Sequence, residues 1–127
     1  MNNDMKFTEY DDYLHVRIED KVITFQRAQE ILTRIGEKCI SLGLKTVLLD
    51  EMSVVKREVP PKDIEKLALD SERNNLNKVY MAFLCRPHLI DHDSNMLNLY
   101  TPVNEFITYH FSNKDKAIAW LTKENKG

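Results

Sequence analysis

The sequence predicts an α/β domain in which about four helices pack on a mixed, mainly parallel sheet of about five strands. Two observations lead to this fold class. The apolar runs at 46–49 and 79–84 are uninterrupted, which is typical of strands that are covered on both faces, as parallel strands are. Segments with helical periodicity alternate with the strands, and this alternation predicts right-handed crossover connections within one sheet.

Length and composition place the chain among soluble globular proteins. Its 127 residues suffice for one domain with its own core, and we assign all of residues 1–127 to it. The net charge of −2, with basic and acidic residues interleaved, predicts no nucleic-acid partner. Neither cysteine belongs to a CxxC motif, and no run has transmembrane length. We therefore expect a cytoplasmic protein with no cofactor and no membrane insertion.

The chain opens with two predicted strands, at 5–10 and 13–19, joined by an Asp-Asp pair that is typical of a tight turn. In the second strand, Leu14, Val16 and Ile18 alternate with polar residues. A period of two indicates a strand with one buried and one exposed face.

A helix is predicted over 24–42 by one apolar stripe, and Gly43 follows it at the position that most often ends a helix. The apolar strand 46–49 comes next. Pro61 then lies at a favoured first-turn position, which predicts a second helix.

The second half of the chain continues the alternation of strands and helices. The apolar strand 79–84 is followed by a weaker helical pattern over 91–100, and 107–111 alternates as a half-buried strand. Ser112, with Asp115 three residues later, predicts the N-terminal cap of a last helix.

Two segments resemble a known family. The run TVLLD at 46–50 and the ending FSNKDKAIAWL at 111–121 are similar to the STAS domain, and more closely to its SpoIIAA-like branch of stand-alone bacterial anti-anti-sigma-factor-like proteins. In that branch a phenylalanine closes the last strand and an Ala-x-x-Trp-Leu helix follows. The resemblance implies the same fold, and it implies a regulatory module that binds a protein partner.

The chain departs from that family at one functional position. Anti-anti-sigma factors of this type carry a serine at the start of the helix after the central strand, and a partner kinase phosphorylates it. Here 56–63 reads KREVPPKD without serine, and Pro60 and Pro61 remove two backbone amides that would bind a phosphate. The nearest hydroxyl is Ser53, which is a candidate phosphoacceptor or a loop serine with a local turn bond. We expect no phosphoserine switch of the usual kind.

The leading hypothesis is a non-enzymatic interaction module that uses the loop 51–59, after strand 46–49, and the helix that follows this loop. Loops at the carboxyl ends of such strands carry function in α/β domains. The apolar residues of this loop either fold back onto the core or form a contact patch with a charged rim. The candidate interface residues are Glu51, Met52, Ser53, Val54, Val55, Lys56, Arg57 and Glu58. The partner is another protein or a second copy in a homodimer. The strands 13–19 and 107–111, which we expect near the sheet edges, offer a second route to self-association.

Two alternatives belong to other functional classes. The first is a carrier of a small apolar, lipid-like ligand, by fold-level analogy with the CRAL-TRIO lipid carriers, although residues of these types are more often core. Its pocket would be lined by Met96, Leu97, Tyr100, Phe106 and Tyr109. The second is a metal-dependent hydrolase. On a helix, His88 and His92 would share one face, but the sequence shows no third ligand.

Overall fold

The computed structural model describes residues 5–59, 66, 75–76, 78–90 and 107–126. Its strands and long helices, in chain order, are β1 Lys6–Glu9, β2 Leu14–Arg17, β3 Val22–Thr24, α1 Phe25–Leu42, β4 Thr46–Asp50, β5 Lys56–Glu58, β6 Tyr80–Leu84, β7 Ile107–Phe111 and α2 Lys114–Lys126. Residues 87–90 form a helical turn directly after β6.

The main sheet has five strands in the order β1-β2-β4-β6-β7. β1 and β2 form an antiparallel hairpin, and each later strand pairs parallel with its neighbour. This mixed, mainly parallel sheet confirms the predicted fold class. The strand predicted at 13–19 is not an edge strand, however, because β2 is paired on both sides, with β1 and with β4. Its edge is therefore not available for self-association.

A second, smaller sheet was not predicted from the sequence. β3 and β5 pair parallel in a two-stranded sheet, with Val22 opposite Lys56 and Thr24 opposite Glu58. Each strand has three residues, which is too short for a period of two to stand out from a loop. This small sheet holds the segment after β4 beside the start of α1.

Helix α1 covers one face of the main sheet. Ile31, Leu32 and Ile35 on its inner side are buried in a cluster with side chains of β2, β4 and β6. Thr24 caps its N-terminus, because its hydroxyl accepts a hydrogen bond from the Arg27 amide at 3.2 Å. Gly43 ends the helix with a left-handed φ of 70°. Both boundaries agree with the prediction.

Helix α2 covers the opposite face. Ala117 and Leu121 are fully buried against Leu48 of β4 and Ala82 of β6. Its cap differs from the prediction, because the side-chain oxygen of Asn113, not that of Ser112, accepts the Lys116 amide at 2.9 Å. The helix begins one residue later than a Ser112 cap requires, and Asp115 lies in its first turn.

The helix predicted over 91–100 lies outside the described residues, and so does most of the helix predicted after Pro61. Lys66, within the latter, is described and has helical conformation. In the described part of the chain, no helix combines the length and the apolar character needed to span a bilayer.

Candidate functional site

The candidate site lies at the carboxyl edge of the main sheet. β4 and β6 run parallel, so the loop that follows β4 and the helical turn that follows β6 emerge at the same edge. The Glu51 amide donates a hydrogen bond to the Leu84 carbonyl at 2.7 Å, which carries the pairing of the two strands into the loop.

A buried ion pair fixes the loop from within. The guanidinium of Arg57 on β5 binds the carboxylate of Glu51, and the two side chains are only 12% and 5% exposed. The guanidinium also lies over the Phe83 ring, 5.6 Å from its centroid. On β7, His110 stacks on Phe83 with the ring centroids 4.7 Å apart. These contacts connect the loop to the interior of the sheet.

Burial, with a smaller contribution from the nearby positive charge of Arg57, lowers the pKa of His110 to about 3. The imidazole is therefore neutral at physiological pH. The neutral form suits this position, since an imidazolium stacked on Phe83 near the Arg57 guanidinium would add a second buried positive charge.

Hydrogen bonds to main-chain groups hold the outer part of the loop. The Val55 amide donates to the Lys21 carbonyl at 2.7 Å, which continues the small sheet. From the segment after β6, Arg86 Nε donates to the Met52 carbonyl at 2.8 Å, and His88 Nε2 lies 2.8 Å from the Val55 carbonyl oxygen. Two separate parts of the chain, at Lys21 and directly after β6, thus fix the position of this loop.

The loop divides its apolar residues between the core and the surface. Val54 is fully buried and Val59 packs against the core. Met52 and Val55 are 41% and 44% exposed, and Val22 on β3 is 43% exposed. We call Val22, Met52 and Val55 together the apolar patch. The strand register puts Val22 opposite Lys56, the residue after Val55, and Met52 lies three residues before Val55 in the same loop.

The structure places the predicted interface residues at different depths. Glu51 and Val54 are buried, so they support the surface from below and cannot themselves touch a partner. Lys56 and Glu58 are exposed and lie 3.4 Å apart in a salt bridge. Sequence reasoning missed Val22 and Lys21, because their place beside the loop depends on the unpredicted pairing of β3 with β5.

Ser53, the candidate phosphoacceptor, is half-buried in the turn after β4. Asp50 shapes this turn, since its Oδ1 accepts the Met52 amide at 3.2 Å. On the α2 side of the sheet, His15 Nε2 lies 3.3 Å from Asp50 Oδ2. The hydrogen bond from His15 holds the pKa of Asp50 below its ordinary value, with a smaller contribution from the Met52 amide.

The other predicted sites lie only partly within the described residues. His88 is exposed and contacts the Val55 carbonyl, while His92 lies outside the described residues. Within the residues that the structure describes, no three His, Cys, Asp or Glu side chains gather as metal ligands would. Of the predicted pocket, only Tyr109 is described, and it lies half-exposed on β7 with its ring stacked on Trp120. Met96, Leu97, Tyr100 and Phe106 lie outside the described residues.

Comparisons with known structures identify the fold. An uncharacterised protein of the DUF3478 family from Shewanella loihica PV-4, described as having a SpoIIAA-like fold, superimposes with a TM-score of 0.55 at 18% identity, over 93% of this chain and 92% of that one. The anti-sigma factor antagonist SpoIIAA in its unphosphorylated form gives a TM-score of 0.50 at 11% identity, over 92% and 96%. No protein-family model and no curated protein matches the sequence. The chain thus has the STAS, SpoIIAA-like fold.

Proposed function

We propose that this protein is a non-enzymatic regulatory module of STAS type that binds a protein partner through the apolar patch of Val22, Met52 and Val55. The observation that carries the proposal is the combination of exposure and rigidity at this edge. Met52 and Val55 are more than 40% exposed and lie on a loop that is fixed by a buried ion pair and by hydrogen bonds with two other parts of the chain. Val22, equally exposed, lies beside the loop on β3. A fixed surface loses little conformational entropy when a partner binds.

The charged groups at this edge suit fixing a surface better than acting on a substrate. Glu51 and Arg57 neutralise each other and are buried, and Lys56 and Glu58 pair with each other. The proposal assigns no catalytic role to them. One of the two similar structures is described as an anti-sigma factor antagonist, which is compatible with regulation through a protein partner.

The proposed module works without a phosphoserine switch at the start of the helix predicted after Pro61. Residues 56–63 contain no serine, and Ser53, the nearest hydroxyl, is half-buried in the turn that Asp50 shapes. A phosphate on Ser53 would require this turn to open or its hydrogen bond between Asp50 and Met52 to break. Regulation of binding would then come from the abundance of the partner or of this protein.

In-cell photo-crosslinking tests the proposed function. A benzoylphenylalanine at Val55 should yield a discrete protein adduct, and the same residue at Ile40 should not. Ile40 is a matched control, because it is an aliphatic residue that is 62% exposed on α1, outside the patch. The adduct should disappear when Met52→Asp is added, whereas this exposed substitution should change the free energy of unfolding by no more than about 0.5 kcal/mol. Equal labelling from the two positions would refute the proposal.

A further inference from the structure

We infer that the apolar patch recognises an acidic segment of its protein partner. This inference rests on the proposed function and adds the chemical class of the ligand. The supporting observations concern the ion pairs of the charged side chains around the patch. The chain as a whole carries a net charge of −2, but next to the patch Lys21 and Arg86 have no carboxylate partner among the described residues.

Most carboxylates near the patch already have a cation. Asp20 accepts two hydrogen bonds from the Arg27 guanidinium, at 3.0 and 3.2 Å, and is buried. Glu51 is paired with Arg57. Glu19 lies 3.6 Å from Arg17 and 3.9 Å from Lys6, and Glu58 is bound to Lys56. None of these carboxylates is left to neutralise further basic groups at the edge of the patch.

Two basic side chains remain beside the patch. Lys21 is exposed and immediately precedes Val22, and Arg86 reaches the loop by donating from Nε to the Met52 carbonyl. Within the described part of the chain, no carboxylate lies within salt-bridge distance of either one. Arg86 thus presents its positive charge at the patch while its Nε is bound to a neutral carbonyl oxygen.

An aliphatic patch with uncompensated cations at its edge is complementary to a segment that carries both apolar and acidic side chains. Apolar contact would supply the affinity, and the charge pairs would steer and orient the partner. A protein segment fits better than an anionic membrane. Electrostatic lipid binding usually requires a cluster of roughly four to eight Lys and Arg residues, whereas among the described residues beside the patch Lys21 and Arg86 alone are uncompensated.

Titration of the isotopically labelled full chain with short peptides tests the inference by NMR. The probe is a peptide of leucine and glutamate, and its controls carry glutamine or lysine at every glutamate position. We expect the glutamate peptide to shift the amide signals of Val22, Met52 and Val55, and to bind more weakly as salt is raised. Lys21→Gln should weaken its binding roughly threefold and Lys21→Glu roughly tenfold. Lys45→Glu, at an exposed lysine away from the patch, should have no such effect.

The other outcomes separate this inference from the function on which it rests. Equal binding of the glutamine peptide would overturn the acidic preference and leave an apolar interface standing. Stronger binding of the lysine peptide, or co-sedimentation with phosphatidylglycerol vesicles that Lys21→Glu abolishes, would overturn it in favour of another ligand. If no peptide binds, the inference fails, while the crosslinking from Val55 decides the proposed function independently.

Discussion

The buried pair of Glu51 and Arg57 illustrates how one contact can set the shape of a surface. A lone carboxylate at the position of Glu51 would be removed from water without a counter-ion, which is far more costly than burying the pair. The pair places Val55, between its two members in the chain, at the surface while Val54 turns inward. The exposure of the apolar patch therefore depends on this interaction beneath it.

Replacing Arg57 by methionine tests this dependence. The substitution retains the unbranched apolar stem over Phe83 and removes the charge, so we expect the free energy of unfolding to fall by about 3 kcal/mol. The fall would be measured by urea denaturation monitored by circular dichroism.

Lys56→Met is the matched control, because Lys56 lies on the same strand with an exposed side chain and a surface salt bridge. Its effect should stay below about 1 kcal/mol. The double variant Glu51→Gln/Arg57→Met should lose less than the two single variants added together. If Arg57→Met costs no more than Lys56→Met, the pair does not hold the loop.

At the scale of single elements, the end of α1 depends on Gly43. Its φ of 70° lies in the left-handed region, and its amide donates to the Cys39 carbonyl at 2.8 Å. A Cβ added at this position would meet no atom within 4 Å. The cost of a substitution here is therefore conformational and not steric.

This property predicts a specific ranking of two variants. Gly43→Ala should destabilise the protein by about 1 kcal/mol, because alanine is disfavoured at positive φ. Gly43→Asn should cost less, since asparagine tolerates the left-handed region better than other side chains do. Urea midpoints of the two variants provide the comparison. An asparagine variant that is less stable than the alanine variant would contradict the conformational explanation.

The same comparison of elements shows which parts of the fold the sequence predicts. Long periodic segments such as 24–42 and continuous apolar runs such as 46–49 carry enough residues to define their type and boundaries. β3 and β5 do not, because their pairing is set by contacts between residues more than thirty positions apart. The same difference applies to the residues of the candidate site. The sequence predicts a functional loop after β4, but the contribution of Val22 follows from the long-range pairing of β3 with β5.

At the scale of the whole molecule, the contacts of Arg57, Phe83 and His110 link the small sheet to β6 and β7 of the main sheet. His110 in this stack predicts how global stability depends on pH. The ordinary pKa of His110 is 6.5, and in the folded protein it falls to about 3. Between these values the unfolded chain binds one more proton than the folded chain. Stability is therefore complete above pH 6.5 and falls as the pH is lowered, by at most about 1.4 kcal/mol per pH unit.

From pH 7 to pH 5 the free energy of unfolding should consequently fall by about 2 kcal/mol. Asp50 adds little in this range, because its pKa lies below its ordinary value of 3.8 and it stays ionised. In His110→Gln the fall should be largely absent, even if the variant is less stable at pH 7. His88→Gln, at an exposed histidine, should keep the full dependence. Urea titrations at several pH values give the slopes, and equal slopes in His110→Gln and the unmodified protein would show that His110 is already accessible to protons in the folded state.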